Sequence, residues 1–288
     1  MPYRHYGEIG DVWKHLPLCE ILTMAHPRVY VETNAASASY ALTTTPARRY
    51  GVMTTYRHAD HSPVVDGSVY LQILRDLNER SPLPHTVLGS PGLAMHLLNR
   101  DCRRYVFFDL EPEPLADIEA AARVLGLADR VETRQADSRL GALELLDSLG
   151  PEALLHVDPY ELFEPGEDGA PPYLDVVGEA ARRSIPCVAW YGYFTRSEQT
   201  AARTRVRAFA DAHPDAGVTS VEVFMAAIGD ALPPVDPGIV GCGVLLVNQP
   251  DAVRAVVASL AAGLVAVYAE GVTFAGGSGA LHAERICG

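Results

Sequence analysis

Asp158-Pro159-Tyr160 combines residue types suited to chemistry at an amine. A carboxylate, or a carbonyl held rigid by the proline, accepts hydrogen bonds from a target N–H. It thereby keeps the nitrogen lone pair aimed at an electrophilic carbon. The tyrosine face stacks on a planar substrate or shelters a cation. The same tripeptide also serves as a plain turn with a core tyrosine, so its surroundings must decide. Asp109 and Asp137-Ser138 stand in the same relation to the segments before them. A carboxylate at 109 has two oxygens for the two hydroxyls of a ribose, and Asp137-Ser138 suits the amino group of an adenine. Together they favour an adenosine-bearing ligand. Trp190-Tyr191-Gly192-Tyr193 adds aromatic surface, so Tyr160, Tyr191 and Tyr193 are expected to wall the pocket.

These residues need strand ends to hold them. Arg28–Thr33, Tyr105–Asp109, Arg130–Gln135, Ala153–Val157, Val188–Tyr193, Val218–Phe224 and Val240–Val247 read as strands. Helical patterns alternate with them at Asp11–Met24, Pro114–Leu127, Leu140–Leu149, Tyr173–Arg183, Ser197–His213 and Ala252–Tyr268. Nearly continuous Val, Leu and Phe in the strands predicts a parallel sheet covered on both faces. The expected fold class is α/β, a doubly wound, seven-stranded and mostly parallel sheet whose final strand can return antiparallel. In such a sheet ligands sit at the carboxyl ends of the strands, where the motifs above fall. Residues 1–42 read as an N-terminal segment with the first strand, and 43–90 as a helical cap inserted after it, with Gly67–Leu77 its clearest helix. Residues 91–270 complete the domain, and 271–288 read as a loose tail.

Composition sets the outer limits. The chain has 288 residues, 48 % of them hydrophobic and 20 % charged, enough to fill a core. Its 23 basic and 36 acidic residues give a net charge of −13, which opposes general binding to polyanions such as RNA. The longest apolar run, Ala255–Ala269, is short for a bilayer, and Met1–His15 lacks an apolar signal core. Five scattered cysteines form no CxxC pair, so neither a disulfide framework nor a thiolate metal site is expected; the setting reads as reduced and cytoplasmic. His58 and His61 read as exposed loop residues rather than metal ligands, and the arginine pairs 48–49, 103–104 and 182–183 as solvated ends of helices or loops. Lys14 is the only lysine beside 22 arginines. Such a position suits a site that wants a compact ammonium rather than a guanidinium.

From Tyr3 to about Tyr268 the chain resembles the J-type ribosomal RNA large-subunit adenine N6-methyltransferases. The resemblance rests on Tyr3-Arg4-His5, Asp11-Val12-Trp13-Lys14-His15, Gly89-Ser90-Pro91, the strand-end acids, Asp158-Pro159-Tyr160-Glu161 and Trp190-Tyr191. It implies a class I S-adenosylmethionine (SAM) methyltransferase fold, with His15, Asn34, Ser90, Asp109, Asp137 and Ser138 lining a cofactor pocket. It places Asp158 at the target amine and Tyr160 stacked on it. Tyr3, His5 and Lys14 would come from an N-terminal segment that closes over the substrate. The family's glycine-rich loop is here Asn34-Ala35-Ala36-Ser37-Ala38-Ser39, and its DPPY has lost a proline. Glycine there permits positive φ and a close approach of backbone to cofactor. The reading is therefore an enzyme for nucleophilic displacement at carbon by an amine. SAM-dependent N-methylation of a small or carrier-bound substrate in specialised metabolism comes first. The alternatives are donor-independent closure of an aziridine-like ring, adenine N6-methylation of RNA, and a non-catalytic partner subunit. A homo- or heterodimer is left open.

Overall fold

A computed structural model describes residues 5–166, 169–230, 238–269, 271–274 and 277–288. Eight strands form the main sheet: β1 (Val29–Thr33), β2 (Arg104–Asp109), β3 (Val131–Gln135), β4 (Ala153–Val157), β5 (Cys187–Tyr193), β6 (Thr219–Met225), β7 (Gly241–Val247) and β8 (Leu281–Cys287). Their order is β8-β6-β7-β5-β4-β1-β2-β3. β1 pairs in parallel with both β2 and β4, while β7 runs antiparallel to β5 and β6. The chain thus leaves β1 on one side, builds β2 and β3, and crosses back to β4 on the other. That reversal leaves a crevice at the carboxyl ends of β1 and β4.

The expected fold class holds, with eight strands in place of seven. The extra one comes from the stretch read as a loose tail: β8 pairs antiparallel with β6, from Leu281 opposite Met225 to Cys287 opposite Ser220. Its mostly polar sequence buries only Leu281 and Ile286, as suits an edge strand with one face in water.

Helices α1 (Ile9–Ala25), α3 (Ser90–Leu98), α4 (Pro112–Leu125), α5 (Ser138–Leu146), α6 (Tyr173–Arg182), α7 (Arg196–Ala212) and α8 (Asp251–Val267) flank the sheet, and α2 (Val69–Leu77) packs on α1. α1 begins two residues earlier than the pattern suggested and carries Pro17 inside it. It packs against α2, α3 and α8, burying Val12, Trp13, Leu16 and Leu22 completely. Between β1 and α3 the chain forms short helical turns, α2, and a two-stranded ladder joining Ser39–Ala41 to Thr86–Leu88. No helix among the described residues is long and apolar enough to cross a membrane.

β5 shows how a strand divides its side chains. Alternate residues point to opposite faces. Trp190 turns to the face that carries α1, whereas Tyr191 and Tyr193 are buried on the other. There the Tyr191 hydroxyl donates to Glu222 at 3.0 Å and contacts the Ser220 hydroxyl at 2.8 Å. Tyr193 donates to Glu222 at 3.0 Å, and Arg203 on α7 reaches the same carboxylate at 2.8 Å. Glu222 is wholly buried, and these donors take the place of water around its oxygens. Glu222→Ala removes the shared acceptor of two buried tyrosine hydroxyls, while Arg203 keeps Glu284 at 2.9 Å, and is expected to lower stability by about 1–3 kcal/mol. Chemical denaturation read by circular dichroism checks this.

Candidate functional site

The crevice at the switch point is a cleft of about 300 Å³. α1 supplies Asp11, Lys14 and His15, three residues at helical spacings of three and four that share one face. The turn after β1 supplies Asn34–Ser37, the start of α3 supplies Ser90, and the exit of β4 supplies Asp158, Pro159 and Tyr160. His5, Tyr6 and Glu8 close one side, with Trp190 and Phe194 behind. Gly10 lets α1 approach this wall: a Cβ there would lie only 3.2 Å from the Trp190 ring.

At the centre the Lys14 ammonium donates to Asp158 Oδ2 at 2.7 Å and pairs with Asp11 Oδ1 at 3.0 Å. Asp11 also accepts from the Gly7 backbone N–H at 2.8 Å, which ties the N-terminal segment to the rim. The Asp158 side chain is 11 % exposed, so it is screened from bulk water yet faces the cleft. Burial raises its pKa against the opposing pull of Lys14. Burial alone would lower the pKa of Lys14, but the two carboxylates outweigh it and hold the side chain as ammonium. For Asp11, Lys14 and the Gly7 N–H overcome the cost of burial, and its carboxyl lies below the usual value. A carboxylate of raised basicity therefore sits beside a permanent point charge.

His15 is 3 % exposed, lines the cleft, and leaves Nε2 without a hydrogen-bond partner. Burial lowers its pKa from 6.5 to about 3, helped by the charge of Lys14, so the ring is neutral. An unfolded histidine takes up a proton below about pH 6.5, while the native one refuses it until about pH 3. The unfolded state then binds more protons, so stability falls as pH drops through that window. His15→Asn is expected to flatten this loss, measured as urea midpoints between pH 7 and 4.

Beneath the cleft lies a second buried set. Glu32 accepts from Tyr30 at 2.9 Å and from the Ser90 hydroxyl, and His156 Nδ1 lies 2.9 Å from the Tyr30 oxygen. Ser90 thus has its hydroxyl turned into this network. Thr33 Oγ1 accepts the Asp158 backbone N–H at 3.2 Å, pinning the turn that carries the carboxylate.

Of the residues expected from sequence, His5, Lys14, His15, Asn34, Ser90, Asp158 and Tyr160 come together here. Tyr3 lies outside the described residues. Tyr160 stands at the rim, 69 % exposed, its ring 6.5 Å from that of Phe194 and inclined by 42°. His5 is engaged with Glu8 at 3.1 Å. Tyr191 and Tyr193 do not wall the cleft, because strand alternation puts them across the sheet; Trp190 takes that place. Asp11 and Glu8 are lining residues whose roles single positions in the sequence did not declare. The spacing Asp11-Lys14-His15 was the available signal.

Asp109, Asp137 and Ser138 do not line the cleft. Asp109 is 3 % exposed, and its two oxygens accept the backbone N–H groups of Ala36 and Glu111, each at 2.9 Å. Asp137 caps α5 and pairs with Arg139 at 3.0 Å. The Ser138 hydroxyl lies 2.8 Å from that of Tyr173, and both bond to Asn34, at 3.3 and 3.0 Å. Arg139 covers the Tyr173 ring at 4.6 Å. These contacts draw the turn after β1 against β2 and α5. Asn34 (φ 56°) and Ala36 (φ 55°) adopt left-handed backbone, a conformation that favours glycine. The groups assigned to an adenosine are thus engaged by the protein itself in this arrangement.

No three His, Cys, Asp or Glu side chains among the described residues are grouped to hold a metal ion, and the His58 and His61 rings stand 5.3 Å apart in their loop.

No family model matches the sequence, and no curated protein matches it. Among solved structures the chain is similar to a Legionella pneumophila protein of the DUF519 family model. The identity is 20 %, with 97 % of this chain and 98 % of that one covered at a TM-score of 0.72. A Bacillus cereus O-methyltransferase in complex with S-adenosylhomocysteine (SAH) is similar at 11 % identity, covering 81 % and 80 % of the two chains at a TM-score of 0.41. A ribosomal RNA methylase from Streptococcus thermophilus gives 10 % identity, coverage of 87 % and 99 %, and a TM-score of 0.39. The first likeness is one of fold, and the two looser ones carry no weight for function.

Proposed function

We propose that the protein catalyses displacement at carbon by an amine carried in the same molecule, so that the substrate closes a small ring and expels an oxyanion. The observation that carries this reading is the Lys14–Asp158 contact of 2.7 Å inside the cleft. A substrate with an ammonium beside an anionic leaving group matches that pair in reverse. Its nitrogen takes the place of Lys14 at Asp158, and its leaving group takes the place of Asp158 at Lys14. Asp158 first takes a proton from the ammonium, and the lone pair so freed forms the N–C bond while the C–O bond breaks, giving the protonated ring. The bonding electrons depart with the oxyanion, whose charge Lys14 balances. Sulfate and phosphate esters of vicinal amino alcohols are the substrate class. Glu8 and Asp11 add negative charge around the ammonium end.

The internal bonding of Asp109, Asp137 and Ser138, none of which lines the cleft, supports a substrate that brings its own leaving group. The second reading is SAM-dependent N-methylation of a small or carrier-bound amine. The fold favours it, as does the opening of Asn34–Ser37 onto the cleft. The acidic lining and the net charge of −13 weigh against adenine methylation in RNA, and the buried ion pair beside an unpartnered His15 weighs against a purely structural subunit. Titration calorimetry with SAM and SAH tests the choice. Ring closure without a donor expects no saturable heat for either ligand at millimolar concentration. Micromolar binding of SAH would overturn it in favour of methyl transfer.

A further inference from the structure

At the opposite ends of the strands lies a second concavity, of about 510 Å³. Its charge follows from topology. Arg28, Arg103 and Arg130 each sit at the start of a strand, far apart in the chain, and parallel pairing of β1, β2 and β3 sets them side by side. The Arg103 N–H donates to the Arg28 carbonyl, and the Tyr105 N–H to the Arg130 carbonyl, both at 2.8 Å, so the three starts are locked together. Arg100 joins them from the preceding turn.

Arg75, Arg104, Arg134, Arg139, Arg203 and Arg205 each have a carboxylate partner. The side chains of Arg28, Arg100 and Arg103 are exposed and have no partner among the described residues. Arg130 instead donates to the Asn99 and Cys102 carbonyls at 3.1 and 3.3 Å, as a fixed strut. Of the two aspartates in the lining, Asp101 is already paired with His26 at 3.2 Å.

We propose that this surface docks an acidic segment of a partner protein. Guanidinium forks match carboxylates two bonds at a time, and unpaired exposed arginines pay little desolvation before they meet a partner. The exposure of the three arginines suits a partner chain better than an enclosed small ligand. Interspersed Asp101 and Asp129 disfavour a compact multivalent anion but leave room for carboxylates spaced along a peptide. The net charge of −13 opposes a long polyanion while barely affecting a short acidic segment within the local field.

Fluorescence anisotropy of a labelled hexaglutamate peptide at low salt, with the full-length protein, tests the proposal. Binding is expected to weaken at least about tenfold in the Arg28→Ser/Arg100→Ser/Arg103→Ser variant and to weaken with added salt. Arg103→Ser alone, an exposed change, is expected to give an intermediate loss and guards against misfolding of the triple variant. Equal binding by wild type and variants would overturn the proposal. So would binding of inorganic pyrophosphate at this surface with no binding of the peptide.

Discussion

Asp158→Asn is expected to lower turnover of the amine substrate by about 10²–10⁴-fold, the range for removing a positioned proton acceptor. The exchange keeps the shape of the side chain, and its amide oxygen can still accept from Lys14. Lys14 also retains Asp11 at 3.0 Å, so the fold should survive. What disappears is the basic oxygen whose pKa burial has raised. The loss should fall on kcat more than on KM, because the amide still offers a hydrogen-bonding surface but no base. Steady-state kinetics and a thermal melt on one preparation separate the two contributions. Unchanged turnover in a folded Asp158→Asn protein would remove the carboxylate from the chemistry and leave the cleft without a catalytic role.

Lys14→Met is expected to damage both stability and turnover. Without the ammonium, Asp11 and Asp158 face each other in a screened site, and stranded carboxylates of this kind cost about 3–5 kcal/mol. Protonation of one of them relieves the repulsion, so the variant should recover stability as pH falls, opposite to the acid loss expected from His15. Turnover should drop by a further large factor because no cation remains for the departing oxyanion. Lys14→Arg is not expected to rescue it: a planar fork cannot occupy the space of a compact ammonium held between two carboxylates. Denaturation midpoints against pH, beside kcat for both variants, check the pair.

The fold was legible because its strands and helices differ in period, and the alternation of buried runs with amphipathic segments leaves few other architectures. The position of Asp158 was legible for the same reason, since a polar residue closing a central strand must lie at the carboxyl edge. What sequence hid was direction. Val188–Tyr193 is apolar throughout, and a run buried on both faces gives no sign of which side chains face a cleft; Tyr191 and Tyr193, expected at the cleft, lie on the other face. Asp109 shows a second limit. Its strand-end position was right, but whether its oxygens meet a ligand or the protein depends on the path of the turn after β1. Ala36 in left-handed backbone brings its own N–H there instead. β8 was missed because an edge strand with a polar face carries little of the apolar signal that marks the others.

The most direct test of the central claim is incubation of the protein with sulfate esters of vicinal amino alcohols in the absence of any methyl donor. Free sulfate and the organic product would be followed together by ion chromatography and mass spectrometry. The result expected is sulfate release matched mole for mole by a cyclic amine that has lost the elements of sulfuric acid, with wild type but not with Asp158→Asn. The contrary result is an inert mixture that yields, only after SAM is added, a product one methyl group heavier.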